Sequence, residues 1–173
     1  MRNWQNIKKK GFTLIELLIA ISIIGILVTL LVSNFLGIRM RSSDVQKKAN
    51  LDQLKKALRL YYNDHQSYPE SYNYMIQDPT QEESAQVMPG SEFQSDTGEI
   101  YMSEVPEYNA YVVSSDGEIF MAIVAIDNES DEDAVDSIDR CNYEERMNED
   151  SSLQFETDPS TLSPGQYYMV CSE

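Results

Sequence analysis

The chain has 173 residues, with 13 Lys and Arg against 29 Asp and Glu, a formal net charge of -16, a single histidine and two cysteines. So acidic a chain is a poor fit to phosphate-gripping proteins, which need a basic surface, and a lone histidine cannot build a histidine-rich metal centre. Charge is also divided along the chain: residues 39–59 hold seven basic residues and two acids, whereas residues 60–173 hold two arginines and 26 acids. The bland account of the acidic part is solubility through net charge.

The first informative stretch runs from Lys8 through Lys10, Gly11 and Phe12 to Glu16, which places one carboxylate inside an otherwise unbroken apolar run. No residue from Leu17 to Ile38 carries a charge, and 22 residues in a helix extend about 33 Å, enough for a bilayer core. The expectation is a membrane span over 17–38. An acid within it costs ~2.5–3.5 kcal/mol, so Glu16 must snorkel, protonate or meet a cation. A secretory signal is the competing account of the basic start, but the apolar run exceeds the usual ~7–15 residues and lacks an A-x-A-like cleavage site, which predicts retention. Lys8 to Lys10 orient the N-terminal side to the cytoplasm by the positive-inside tendency, with Arg39 and Arg41 opposing it weakly.

Basic residues, then Gly11, Phe12 and Glu16 heading a long apolar helix, resemble the class III signal of type IV pilins and type II secretion pseudopilins. The resemblance implies a leader of residues 1–11, cut between Gly11 and Phe12 by a prepilin peptidase that also methylates the new amine of Phe12. It implies that Glu16 attracts the terminal amine of a neighbouring subunit during assembly, and replacing two unpaired charges in lipid with one pair favours that docking. Loss of the leader takes the formal charge from -16 to -20. The implied partners are other copies of the chain, the peptidase, an assembly ATPase with its inner-membrane platform, and lipid before assembly. No nucleic acid, cofactor or metal is expected.

The helix is expected to continue past the span, from 12 to about 62. Leu51, Leu54, Leu58 and Tyr61 make an apolar stripe suited to lie on a sheet, while Lys48, Lys55, Lys56 and Arg59 occupy other faces. Ser42-Ser43-Asp44 can cap a new helix or sit within a continuous one. Many relatives carry a proline in the apolar half; here Gly25 and Gly37 are the weak points. Asn63 to Pro69 closes the helix. Its Tyr-Tyr-Asn-Asp and Tyr-Pro pieces resemble the end of the pseudopilin helix, with Gln66 standing near the place where a glycine often falls. His65 is read as a turn residue.

Residues 70–107 are polar and punctuated by Pro79, Pro89, Gly90, Gly98 and Pro106, which predicts a variable connection. Tyr108–Ser114 and Glu118–Ile126 read as strands joined by a Ser115-Asp116-Gly117 hairpin turn, forming the sheet centre. The second strand is apolar on both faces, one for the helix and one for a loop or a neighbouring subunit. A third strand spans Gln166–Cys171 after the Pro164-Gly165 turn. The acid run Asp127–Asp136 lacks the mid-loop glycine and distal glutamate of a calcium-binding EF-hand loop, and a solvated loop is expected. Cys141 and Cys171 look like the C-terminal disulfide of many major pilins; a bridge closing about 31 residues contributes ~3–4 kcal/mol on the chain-entropy model, and two free thiols are the alternative.

The fold class expected is therefore α+β: a long N-terminal helix on a small antiparallel sheet, with an acidic head over 63–173. A pilus-like filament subunit is the leading function, a secretion or DNA-uptake pseudopilin the alternative, and a bitopic binding protein the third. An enzyme fits least, since no phosphate loop or paired catalytic motif is present. The resemblance places the head outside the cytoplasmic membrane, then in an extracellular or periplasmic filament.

Overall fold

The structure, a computed structural model, describes residues 11–80, 85–155 and 165–172, without the side chains of 30–36. It divides into two units, Met1–Arg39 and Met40–Glu173. Most of the expected leader, residues 1–10, lies outside the described residues, as does part of the expected span. Among the described residues no helix is long and apolar enough to cross a membrane.

Helix α1 runs over Leu14–His65. In the second unit its stripe of Leu51, Leu54, Leu58 and Tyr61 is buried, the three leucines completely. Because these positions step by three and four residues, they share one face. They pack on Phe120, Ala122 and Val124 of the sheet.

The helix ends at a residue with positive φ. Gln66 takes φ +56° and donates its backbone N–H to the Tyr62 carbonyl at 2.8 Å. It thus occupies the left-handed conformation that glycine adopts at least cost after a helix. A glutamine there is strained but receives local support, since its Nε2 donates to the Asn63 carbonyl at 3.0 Å.

The expected connection over 70–107 holds two short ribbons. Strands β1 (Ser71–Tyr72) and β2 (Met75–Ile76) pair antiparallel, as do β3 (Phe93–Gln94) and β4 (Ile100–Met102). Their polarity conceals isolated apolar anchors: Ile76, Val87, Phe93 and Val105 are all buried. Tyr108 ties this region together, accepting the Ile76 N–H and donating to the Val87 carbonyl, both at 3.1 Å. Burial pushes the Tyr108 phenol up to about 12.

The main sheet is antiparallel, in the order β5 (Ala110–Val113), β6 (Phe120–Ala125), β7 (Tyr167–Cys171). β6 lies at its centre, pairing Val113 with Phe120 on one side and Met121 with Cys171 on the other. Gly117 takes φ +74° in the hairpin turn, where positive φ is required. Side chains alternate across β6: Phe120, Ala122 and Val124 meet α1, while Met121 and Ile123 join a second cluster with Tyr143, Leu153, Phe155 and the two cysteines. The second face is thus covered by the chain's own C-terminal lobe.

That lobe contains α2 (Glu132–Arg140) and α3 (Tyr143–Glu149). The acid run is not the solvated loop its composition suggests. Asp131 caps α2, accepting the Ala134 N–H at 3.2 Å, and Glu132 and Asp133 occupy the first turn, where the helix dipole favours negative charge. Local helix-capping chemistry overrides the tendency of like charges to stay extended. Ala134 and Ser137 face inward, and the Ser137 hydroxyl accepts the Met169 N–H at 2.9 Å, fastening α2 to β7.

Candidate assembly site

Gly11 and Phe12 precede α1, and Phe12 is 90% exposed. Among the described residues a methyl group built on Gly11 meets nothing within 4 Å. Directly after Phe12, Thr13 and Glu16, three residues apart, form a reciprocal cap. The Glu16 carboxylate accepts the Thr13 backbone N–H at 2.9 Å and the Thr13 hydroxyl at 2.8 Å, while the Glu16 N–H points to that hydroxyl at 3.3 Å. This is the Thr-x-x-Glu capping box, which satisfies two of the orphan donors at a helix start. The carboxylate also lies at the positive end of the helix dipole.

The cap revises the energetics read from composition. Glu16 has local hydrogen-bond donors, so a cation is not its sole source of stabilisation. Both bonds to its carboxylate come to Oε2, so among the described residues Oε1 can receive a further donor. Thr13 is the capping residue that the reading of charge and hydropathy passed over. A threonine three residues before a glutamate at the head of an apolar run was the available signal.

Within the second unit, a polar lock fastens the acid run to α1. Asp44, 1% exposed, accepts the backbone N–H groups of Asp127 and Asn128 at 2.8 and 2.9 Å. Lys47 pairs with Asp127 at 3.2 Å, and Lys48 with Asp131 at 2.6 Å and Asp133 at 3.1 Å. Lys48 also stands 5.4 Å from the Tyr168 ring centre. Burial opposes ionisation of Asp133, but Lys48 and Arg140 hold its carboxyl below the usual range. Ser42-Ser43-Asp44 therefore lies within α1, and Asp44 caps the facing loop rather than its own helix. Among the described residues no group of three or more His, Cys, Asp or Glu is arranged to hold a metal ion.

Cys141 and Cys171 are joined by a disulfide, with Cα atoms 5.8 Å apart. The bridge links the end of α2 to β7, beside the buried Tyr143 and Leu153. His65 stands on the last turn of α1, its ring stacked 4.1 Å from that of Tyr61 and its Nε2 3.7 Å from Asp96.

A capped, exposed N-terminal helix and a helix-on-sheet head define a pilin-like protein. Residues 6–32 match the prokaryotic N-terminal methylation motif. The chain is 43% identical over 67 residues to the type IV wide pilus major component PilA4 of Thermus thermophilus, covering 39% of this chain and 51% of that protein. It is 37% identical over 68 residues to the type IV major pilin PilA of Myxococcus xanthus, covering 39% and 31%. With the type II secretion system core protein G of Escherichia coli it shares 36% over 62 residues, covering 36% and 43%. The N-terminal part of the chain is thus similar to that of type IV pilins and type II secretion pseudopilins. It spans between about a third and a half of the length of these relatives. No solved structure matches it.

Proposed function

We propose that the chain is a structural subunit of a type IV pilus-like filament, polymerised through its N-terminal helix. The observation that carries this reading is the Thr13–Glu16 cap within the matched methylation motif, immediately after Gly11 and Phe12. In this reading a prepilin peptidase removes residues 1–11 and methylates Phe12. Residues 17–38 then hold the subunit in the cytoplasmic membrane with the head outside, until an ATPase and its inner-membrane platform drive assembly. During assembly the free oxygen of Glu16 receives the Phe12 amine of another copy, and desolvation strengthens that ion pair as lipid excludes water. The role is architectural, not catalytic.

Intact mass of protein from a peptidase-competent cell tests the first step: the expected product lacks Met1 to Gly11 and carries a methyl group on Phe12. A retained leader overturns the reading. A pseudopilin of a secretion or DNA-uptake system is the second reading, favoured by the similarity to protein G. The disulfide between α2 and β7 leans towards the pilin, because it resembles the C-terminal bridge of many major pilins. Recovery of the protein in sheared extracellular filaments, against retention in the periplasm, separates the two. A membrane monomer that never polymerises supports a bitopic binding protein instead.

A further inference from the structure

The head carries two unlike surfaces on two flanks of α1. On one flank Gln53, Lys56 and Leu60 line a groove of about 610 Å³, whose far wall is Tyr101, Met102 and Glu104. Leu60 is 53% exposed. On the other flank Lys48 receives the start of α2 through Asp131 and Asp133. Lys56 of the groove lies eight positions from Lys48, roughly 80° around the helix and about 12 Å along it, while Asp131 and Asp133 hold the start of α2 at Lys48.

The solvent face of α2 is built to fit such a groove. Val135 is 37% exposed, and it is flanked by exposed Glu132, Asp136 and Asp139. Among the described residues the side chains of these three acids, and of Lys56, make no hydrogen bond or ion pair. The neighbouring acids Asp127, Asp131 and Asp133 are by contrast already paired.

Resting on the filament reading, we infer that α2 of one subunit docks in the α1 groove of a second copy, with Val135 against Leu60 and its carboxylates against Lys56. Lys56 is the cation of the groove lining, and the three acids of the α2 face complement it in sign, which orients the encounter. Glu104 on the far wall repels the incoming acids and directs them to the Lys56 side. Joining two different patches of one chain is a heterologous contact, which repeats into an open array instead of closing as a dimer.

The test uses native protein from sheared filaments treated with a carbodiimide, which links an amine to a touching carboxylate. Peptide mapping of the dimer band should recover Lys56 joined to Glu132, Asp136 or Asp139. Lys56→Glu should lower filament yield about tenfold, and pairing it with Asp136→Lys and Asp139→Lys should recover most of that loss. Filaments that yield no such linkage, or in which Lys56→Glu assembles as wild type, overturn this contact and leave the filament reading intact. Absence of any assembled fraction from the processed wild type overturns both.

Discussion

Asp44 on α1 accepts the backbone N–H of Asp127 at 2.8 Å across 83 positions of sequence. A carboxylate 1% exposed survives burial because two backbone N–H groups, of Asp127 and Asn128, donate to it. Asp44→Ala leaves both N–H groups of the 127–128 loop without their acceptor. The expected loss is about 2–4 kcal/mol in urea unfolding of the detergent-solubilised chain, as for hydrogen bonds to a charged group. Asp44→Asn keeps one acceptor oxygen and should fall between. A change under about 0.5 kcal/mol for the alanine variant, the range of ordinary surface substitutions, contradicts the lock.

Gln66 offers a stabilising change. Left-handed backbone costs an L-residue about 1–2 kcal/mol, and Gln66 stands at φ +56°. Gln66→Gly should therefore raise stability by about 0.5–1 kcal/mol, less the Nε2 bond to Asn63 that it forfeits. Thermal unfolding is the measurement, and a lowered midpoint shows that the side-chain bond outweighs the strain.

The disulfide yields a third expectation. Cys141 and Cys171 are 30 residues apart in sequence, and on the chain-entropy model a loop of that length contributes ~3–4 kcal/mol. Reductant, or the double change Cys141→Ser with Cys171→Ser, should lower the unfolding midpoint accordingly. Loosening should concentrate in α2, α3 and β7, which hydrogen exchange resolves from α1. Two alkylatable thiols in native exported protein contradict the bridge.

Asp150 gives the pH dependence. Its carboxylate accepts the Ser115 N–H at 2.8 Å, the Ser115 hydroxyl at 2.9 Å and the Ser152 N–H at 2.9 Å. Chiefly through the Ser115 backbone, these bonds hold its carboxyl well below the usual range. Asp116 is also lowered, first by the Ser114 hydroxyl. A depressed folded-state value stabilises the native form above the unfolded value of about 3.9 and is lost as pH falls from there towards the folded value. The head should thus hold its urea midpoint from neutral pH to about pH 5 and weaken below about pH 4. The gap between wild type and Asp150→Asn should narrow across that acid window, and a gap constant from pH 7 to pH 2 contradicts the assignment.

Legibility in the sequence followed the range of the interactions. Leu51, Leu54, Leu58 and Tyr61 announced the buried helix face because a stripe repeats within one element. The Ser115-Asp116-Gly117 turn announced its hairpin for the same reason. Isolated anchors such as Phe93 and Val105 have no period to betray them, so the ribbons in 70–107 stayed hidden. The acid run misled because Asp131 and Asp133 are balanced by Lys48, 83 and 85 residues away, a distance at which charge counting is blind. At the N-terminus the oddity of Glu16 was plain from hydropathy, whereas its partner Thr13 required a test for a cap.

That pair supports the final prediction. Glu16→Ala removes both the cap and the acid proposed to receive a neighbour's amine, while lowering the cost of residence in lipid. It should insert and lose its leader, yet assemble poorly. Glu16→Gln can still accept from the Thr13 N–H and hydroxyl, so it keeps the cap and loses only the charge. If the charge drives assembly, Gln should fail nearly as Ala does; if the cap alone matters, Gln should assemble. Thr13→Val makes the converse change, removing the hydroxyl that accounts for two of the three bonds, and should reduce assembly by less than Glu16→Ala. Filament yield in sheared fractions, set against membrane-bound monomer, ranks the variants. Wild-type yield from Glu16→Ala shows that neither cap nor charge governs polymerisation, and moves the chain towards a membrane-anchored binding protein.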